Sequence, residues 1–168
     1  MRRRHLLAVG ATTGAVLGLA GMSLVWIQPP RPQGRLSLIA RELMTAVAKA
    51  VLDDTLSSDP AAQDQALASH LDRLEATLSG MPPHLQADVD QMLALLAAPP
   101  GRVALLGLTT PWGQASRAQV QAALQDLRSS SLALRQQIFH ALRDLTNAAY
   151  FADATTWSVI GYPGPRVL

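Results

Sequence analysis

The sequence predicts an all-α protein: an N-terminal signal or anchor helix (1–27), a proline-rich linker (28–35), and a helical domain (36–168). That domain reads as a bundle of five or six helices ending in an irregular Pro/Gly tail. Three observations predict this class. Apolar residues recur at three- and four-residue steps through most of the chain. Prolines and glycines fall in clusters between those runs, where they end or restart helices. The one short apolar segment that reads equally as strand, Arg102 to Leu108, has no partner strand elsewhere, so it too is expected to be helical.

The leader opens Arg2-Arg3-Arg4-His5-Leu6-Leu7 and continues to Ile27 without a charge. A basic start followed by an apolar run is a targeting segment, to be set apart from the fold. Paired arginines, one intervening residue and two apolar residues resemble the twin-arginine export pattern, with Arg3 and Arg4 as the pair and Leu6 and Leu7 behind them. Gly10, Gly14, Gly18 and Gly21 keep the run only moderately hydrophobic, as twin-arginine signals are. The competing reading is an ordinary membrane helix with its arginines held on the cytoplasmic side. From Leu6 to Ile27, at ~1.5 Å per residue, the run is roughly 33 Å long and could cross a bilayer. Trp26 would then sit in the interfacial belt. A retained anchor is the first expectation; the small-x-small pattern Gly18-Leu19-Ala20 offers cleavage as the alternative.

Behind the leader, Gln28-Pro29-Pro30-Arg31-Pro32-Gln33-Gly34 reads as a stiff polar spacer, because proline blocks helix and favours extended chain. Leu36, Ile39, Leu43, Val47 and Ala50 then form the stripe of a first amphipathic helix. Asp53 to Pro60 is a polar break, and Asp59-Pro60 starts a second helix marked by Leu67, Leu71, Leu74 and Leu78, ending near Gly80. Pro82-Pro83 restarts the chain for a third, marked by Leu85, Val89, Met92 and Leu96, which Pro99-Pro100-Gly101 breaks. Ser116 with Gln119 is a capping box that opens a helix striped by Val120, Leu124 and Leu127. The longest helix, Leu132 to Phe151, carries Leu134, Ile138, Leu142 and Leu145. A short last helix spans about Ala154 to Ile160 with Asp153 as its N-cap.

The charge balance is split. The whole chain carries +2, yet Leu36 to Ile160 holds eight basic residues against all twelve acidic ones, a net of −4. The excess base lies in the tails, at Arg2, Arg3, Arg4, Arg31, Arg35 and Arg166. An acidic body argues against nucleic acid, which needs clustered base over phosphates. The absence of cysteine excludes a disulfide framework, thiolate zinc and iron–sulfur sites and a covalent haem site.

Residues for chemistry are sparse. His5, His70, His84 and His140 are not spaced as metal ligands. His140 with Asp144 could be an oriented base, but a surface helix pair is the expected reading. Asp53-Asp54 reads as a solvated break. Asp88 and Asp90 point to different faces of one helix. Ser129-Ser130-Ser131 is a hinge with no nucleophile elbow, and no phosphate-cradling glycine loop is present. The chain therefore offers no active site of its own.

The aromatics are few and unevenly placed. Of seven, four fall between Tyr150 and Tyr162, ahead of Pro163 and Pro165. Rigid rings beside preorganised prolines suit an interface anchor, although Phe151 and Trp157 could instead cap the bundle's own core. Tyr150-Phe151-Ala152-Asp153, then Trp157, then Ile160-Gly161-Tyr162-Pro163-Gly164-Pro165 resembles the C-terminal signature of the gluconate 2-dehydrogenase subunit 3-like proteins. Those are twin-arginine-signalled small subunits encoded beside flavin dehydrogenases of the glucose–methanol–choline type. Pro111-Trp112-Gly113-Gln114-Ala115-Ser116 is similar to that family's Pro-Trp-x-x-Ala-Ser segment, and Arg128 to Ser131 with Leu134-Arg135 also fits. The likeness covers about Pro99 to Pro165; ahead of it, Leu36 to Ala98 is alike only in being helical.

The resemblance implies a non-catalytic subunit on the periplasmic side of a bacterial inner membrane. It would escort a large FAD-containing alcohol or sugar dehydrogenase through the twin-arginine translocase and stabilise it. Trp112, Tyr150, Phe151, Trp157, Tyr162, Pro163 and Pro165 would face that partner, and a cytochrome subunit or quinone would take the electrons. No cofactor or metal is expected in this chain. The leader departs from the family in lacking a clean Ala-x-Ala cut. The rival expectation is a free-standing, membrane-anchored helical protein that scaffolds the envelope or binds a small ligand.

Overall fold

The computed structural model describes residues 29–164, and among them the chain is all-α, with no strand. The helices are α1 (Leu38–Val51), α2 (Pro60–Ser79), α3 (Pro83–Ala97), α4 (Pro99–Leu106), α5 (Arg117–Arg128) and α6 (Ala133–Phe151). Short 3-10 segments occupy Pro32–Gly34, Asp53–Thr55, Trp112–Gln114 and Ala154–Ile160. None of these helices is long and apolar enough to cross a membrane. The leader, with Arg3, Arg4, Leu6 and Leu7, lies outside the described residues.

Helix starts follow local chemistry. The side chains of Ser37 and Asp59 accept from Ala40 N–H and Ala62 N–H, each satisfying a donor the helix leaves orphaned. Pro60, Pro83 and Pro99 sit at first helical positions, where a missing N–H costs nothing. The Ser116–Gln119 capping box forms with both of its bonds. Pro99-Pro100-Gly101 ends α3 as expected, and it also begins α4. Gly101 is required there: a Cβ would stand 2.0 Å from the Leu95 carbonyl oxygen. Buried Arg102 closes the far end of α4, donating to the carbonyls of Leu108 (3.0 Å) and Thr109 (3.2 Å).

The fold is organised around α1, which packs against α2, α3, α5, α6 and the Trp112 turn. Ala40, Leu43, Met44, Ala46, Val47, Ala48 and Ala50 are buried, an arc far wider than one stripe. Its alanines let neighbours approach from several sides. The main core joins that arc to Leu74, Leu78, Leu93, Leu96, Val120, Leu127 and Leu142. A smaller cluster holds Ala48, Leu52, Leu67 and Tyr150.

Some expected stripe positions are corrected. Ile39, Leu85 and Leu134 are exposed, while Ala40, Met44, Leu93 and Ala94 are buried. A helix enclosed by several neighbours buries what they cover, and the longest aliphatic side chains need not coincide with that. The linker differs too. Expected as an extended spacer, it turns at Pro32–Gly34 and docks on the body, with Pro30 and Arg31 buried. Arg31 grips both oxygens of Asp90 on α3, with Nη2–Oδ2 at 2.9 Å, and also donates to Gln86 at 3.2 Å. Ser37 N–H donates to the Pro30 carbonyl at 2.7 Å. The acidic body thus takes up tail charge directly.

Candidate partner-binding site

The structure divides the aromatics that sequence grouped together. Trp112 is only 2% exposed, and its Nε1–H donates to the Leu96 carbonyl at 2.9 Å. It pins the loop after α4 to the end of α3 and belongs to the main core. The Glu42 carboxylate lies against the backbone of neighbouring Gly113. Trp112 therefore has no free face to offer a partner, contrary to the expectation above. Tyr150 is corrected likewise: it is buried, and its hydroxyl donates to the Thr55 carbonyl at 3.2 Å. Phe151 is half-buried beside it, edge-on, with ring centroids 5.2 Å apart. Both tie the end of α6 to the turn after α1.

Trp157, Tyr162 and Pro163 do come together, on a platform built from the 3-10 segment Ala154–Ile160. Asp153 opens it, accepting from Thr155 N–H and hydroxyl at 3.0 and 2.7 Å. Those two bonds hold the Asp153 carboxyl below its ordinary pKa, the hydroxyl contributing most. Arg73 on α2 braces the same corner, donating to the Ala149 carbonyl (2.9 Å) and to Asp153 (3.1 Å). Thr156 hydroxyl lies 3.1 Å from the Tyr150 carbonyl. Trp157 Nε1–H donates to the Phe151 carbonyl at 2.7 Å, fixing the indole. Gly161 then turns the chain with φ +69°, a conformation glycine adopts without strain. Tyr162 N–H returns to the Trp157 carbonyl at 3.0 Å, leaving the two rings 5.3 Å apart.

This scaffold carries a row of exposed apolar side chains: Val159 (50%), Ile160 (58%) and Tyr162 (46%), with Pro163 exposed beyond them. Pro165 lies outside the described residues. Val159 and Ile160 were not among the partner-facing residues expected from the sequence: Val159 read only as part of the last helix, and Ile160 only as its end and the start of the C-terminal signature. The available signal was that both precede a glycine turn, so no further helical turn covers them.

Among the described residues, the titratable side chains singled out in the sequence stand apart from one another. His140 is exposed, and Asp144 pairs with Arg143 at 2.8 Å rather than with His140. Asp53 pairs with Arg117 and accepts from Gln121 at 2.9 Å, so it is a bonded helix-end carboxylate and not a solvated one. His70 on α2 is 1% exposed, and neither ring nitrogen has a hydrogen-bond partner. Burial, and secondarily Arg73, push its pKa down to about 4. Among the described residues no three His, Asp or Glu side chains gather to hold a metal. No protein-family model, curated protein or solved structure matches the chain.

Proposed function

We propose that this chain is a non-catalytic helical subunit that escorts a periplasmic FAD-dependent dehydrogenase of the glucose–methanol–choline type through twin-arginine export and then stabilises it. The observation that carries the reading is the apolar row Val159, Ile160 and Tyr162. Adjacent exposed apolar residues are a liability on a free protein and an anchor on a bound one. Here they stand on a segment braced by Arg73, Asp153 and Trp157, so little backbone freedom is left to lose on binding. The second support is the likeness of Pro99 to Pro165 to small subunits of such dehydrogenases. Third is the leader, in which Arg3 and Arg4 would engage the translocase. In this reading Trp112 and Tyr150 shape the subunit from within, and Trp157, Tyr162 and Pro163 meet the flavoprotein. FAD belongs to the partner, electrons leave it for a cytochrome or quinone, and the substrate is an alcohol or sugar.

The test is capture of the chain, tagged after Leu168, from membrane and periplasmic fractions of its native host. The proposal expects a yellow, FAD-containing partner that disappears from the periplasm when Arg3 and Arg4 are both changed to Lys. Recovery of the chain alone, with no flavoprotein changing compartment in the double variant, rejects it.

A further inference from the structure

Between α1, α5 and α6 the surface opens into a groove of about 300 Å³, lined by none of the platform's residues. Its apolar lining comes from Ala50 and Val51 on α1, Leu124 on α5 and Phe139 on α6; Gln121, Gln125 and two guanidinium groups, Arg128 and Arg143, line it as well. The two cations are in different situations. Arg143 lies over the Phe139 ring, 5.6 Å from its centroid, and is paired with Asp144 at 2.8 Å. Arg128, in the last turn of α5, is exposed and has no carboxylate within ion-pairing reach among the described residues. The carboxylate nearest in sequence to the groove's α1 wall, Asp53, is already taken by Arg117 and Gln121. Apolar walls of aromatic and aliphatic character beside an uncompensated guanidinium are complementary to one ligand chemistry, an organic anion with an apolar body.

We propose that this groove binds a small amphipathic monocarboxylate, its hydrocarbon part against Val51, Leu124 and Phe139 and its carboxylate on Arg128. At about 30 Å³ per water-sized unit, the volume holds on the order of ten heavy atoms, the size of octanoate. A bidentate arginine–carboxylate pair sets the orientation, and the site is independent of the escort role.

The experiment titrates the full chain with octanoate labelled with carbon-13 at the carboxyl, followed by its NMR shift, with octanamide as the uncharged control. The expected result is saturable one-to-one binding, weakened at least about tenfold by Arg128→Glu and weakened to a similar degree for octanamide. Arg143→Gln is expected to weaken binding less, because Asp144 already shares that charge. Arg128 is exposed, so its variant should melt within a few degrees of wild type, the difference reflecting the lost cation in the last turn of α5, and circular dichroism at the titration temperature shows that loss of binding is not unfolding. Non-saturable uptake, equal affinity for octanamide, or unchanged affinity in Arg128→Glu overturns the proposal; so does a larger loss from Arg143→Gln, which misassigns the anion's partner.

Discussion

His70 is the residue whose chemistry is least at ease in the fold. A neutral imidazole is tolerated at 1% exposure, but an imidazolium there would have no acceptor for either N–H and would face Arg73. The folded protein holds the proton only near pH 4, while the unfolded chain takes it up near 6.5. Between those values the unfolded state binds more protons, so stability falls as pH drops from 6.5 and levels off near 4. At about 1.4 kcal/mol per unit, the full excursion is on the order of 3 kcal/mol. His70→Leu should flatten the melting temperature across that window, measured by circular dichroism at half-unit intervals. A slope that survives the substitution assigns the acid sensitivity to another group. Asp153 will not confuse the result. Its carboxyl is held low, so it contributes above the ordinary carboxylate range and is lost only at more acidic pH. None of this was legible in the sequence, where His70 read only as a histidine without a metal partner. The same limit applies to Trp112 and Trp157, both set near turns. What separates them is where each indole finds a carbonyl, Leu96 in the core or Phe151 at the surface, and that is decided in three dimensions.

At the level of elements, beginnings were readable and buried faces less so. A cap is settled by three or four consecutive residues, so Ser116 with Gln119, Asp59 with Pro60, and Asp153 could be placed without knowing the fold. Which side of a helix is buried depends on how many neighbours it meets. α5 meets its neighbours along one side, and its stripe of Val120, Leu124 and Leu127 is buried as expected. α1 is surrounded, and the sequence could not say that Ala46 and Ala48 would be inside while Ile39 would not. Ser116→Ala should lower stability by about 1 kcal/mol through the lost cap, read from the urea midpoint. Gly101→Ala should be much worse, more than about 2 kcal/mol, because the Cβ meets the Leu95 backbone, which no rotamer can move aside. A Gly101→Ala protein of wild-type stability would mean that α3 and α4 can separate at no cost. Arg31→Ala should cost about 1–3 kcal/mol by leaving a half-buried Asp90 without its cation. It should also raise hydrogen exchange at the Ser37 amide, which is bonded to Pro30. Unaltered exchange at Ser37 would show that the linker stays docked without Arg31.

For the molecule as a whole, the division between inner and outer aromatics separates folding from the proposed association. Ile160→Asp combined with Tyr162→Ala alters only exposed side chains, so the melting temperature should stay within a few degrees of wild type. If the proposed escort role holds, capture of the flavoprotein should nevertheless fall at least about tenfold, since an interface anchor is lost. Trp112→Ala should instead destabilise by about 3–5 kcal/mol, as removal of a buried indole does. A double variant that retains its partner in full, while still folded, moves the binding face elsewhere on the surface. The all-α class and the presence of a C-terminal aromatic feature could be read from periodicity and composition. Its usable face could not, because Val159 and Ile160 gain their exposure from a glycine turn and a 3-10 geometry that periodicity does not report.

The central position of α1 also has a bearing on time. It is the first helix of the bundle to be made, yet two of the partners that enclose it, α5 and α6, are among the last. From Val51 to Ala133 the ribosome adds 82 residues, which at roughly 5–20 residues per second is about 4–16 s. Throughout that interval α2 and α3 can cover part of α1, while the part that packs on α5 and α6 waits. A nascent chain halted anywhere before α6 therefore carries a first helix that is only partly covered. The arrangement makes synthesis of α6 the step that completes the burial of α1, so a chain that stops short of it leaves apolar surface open.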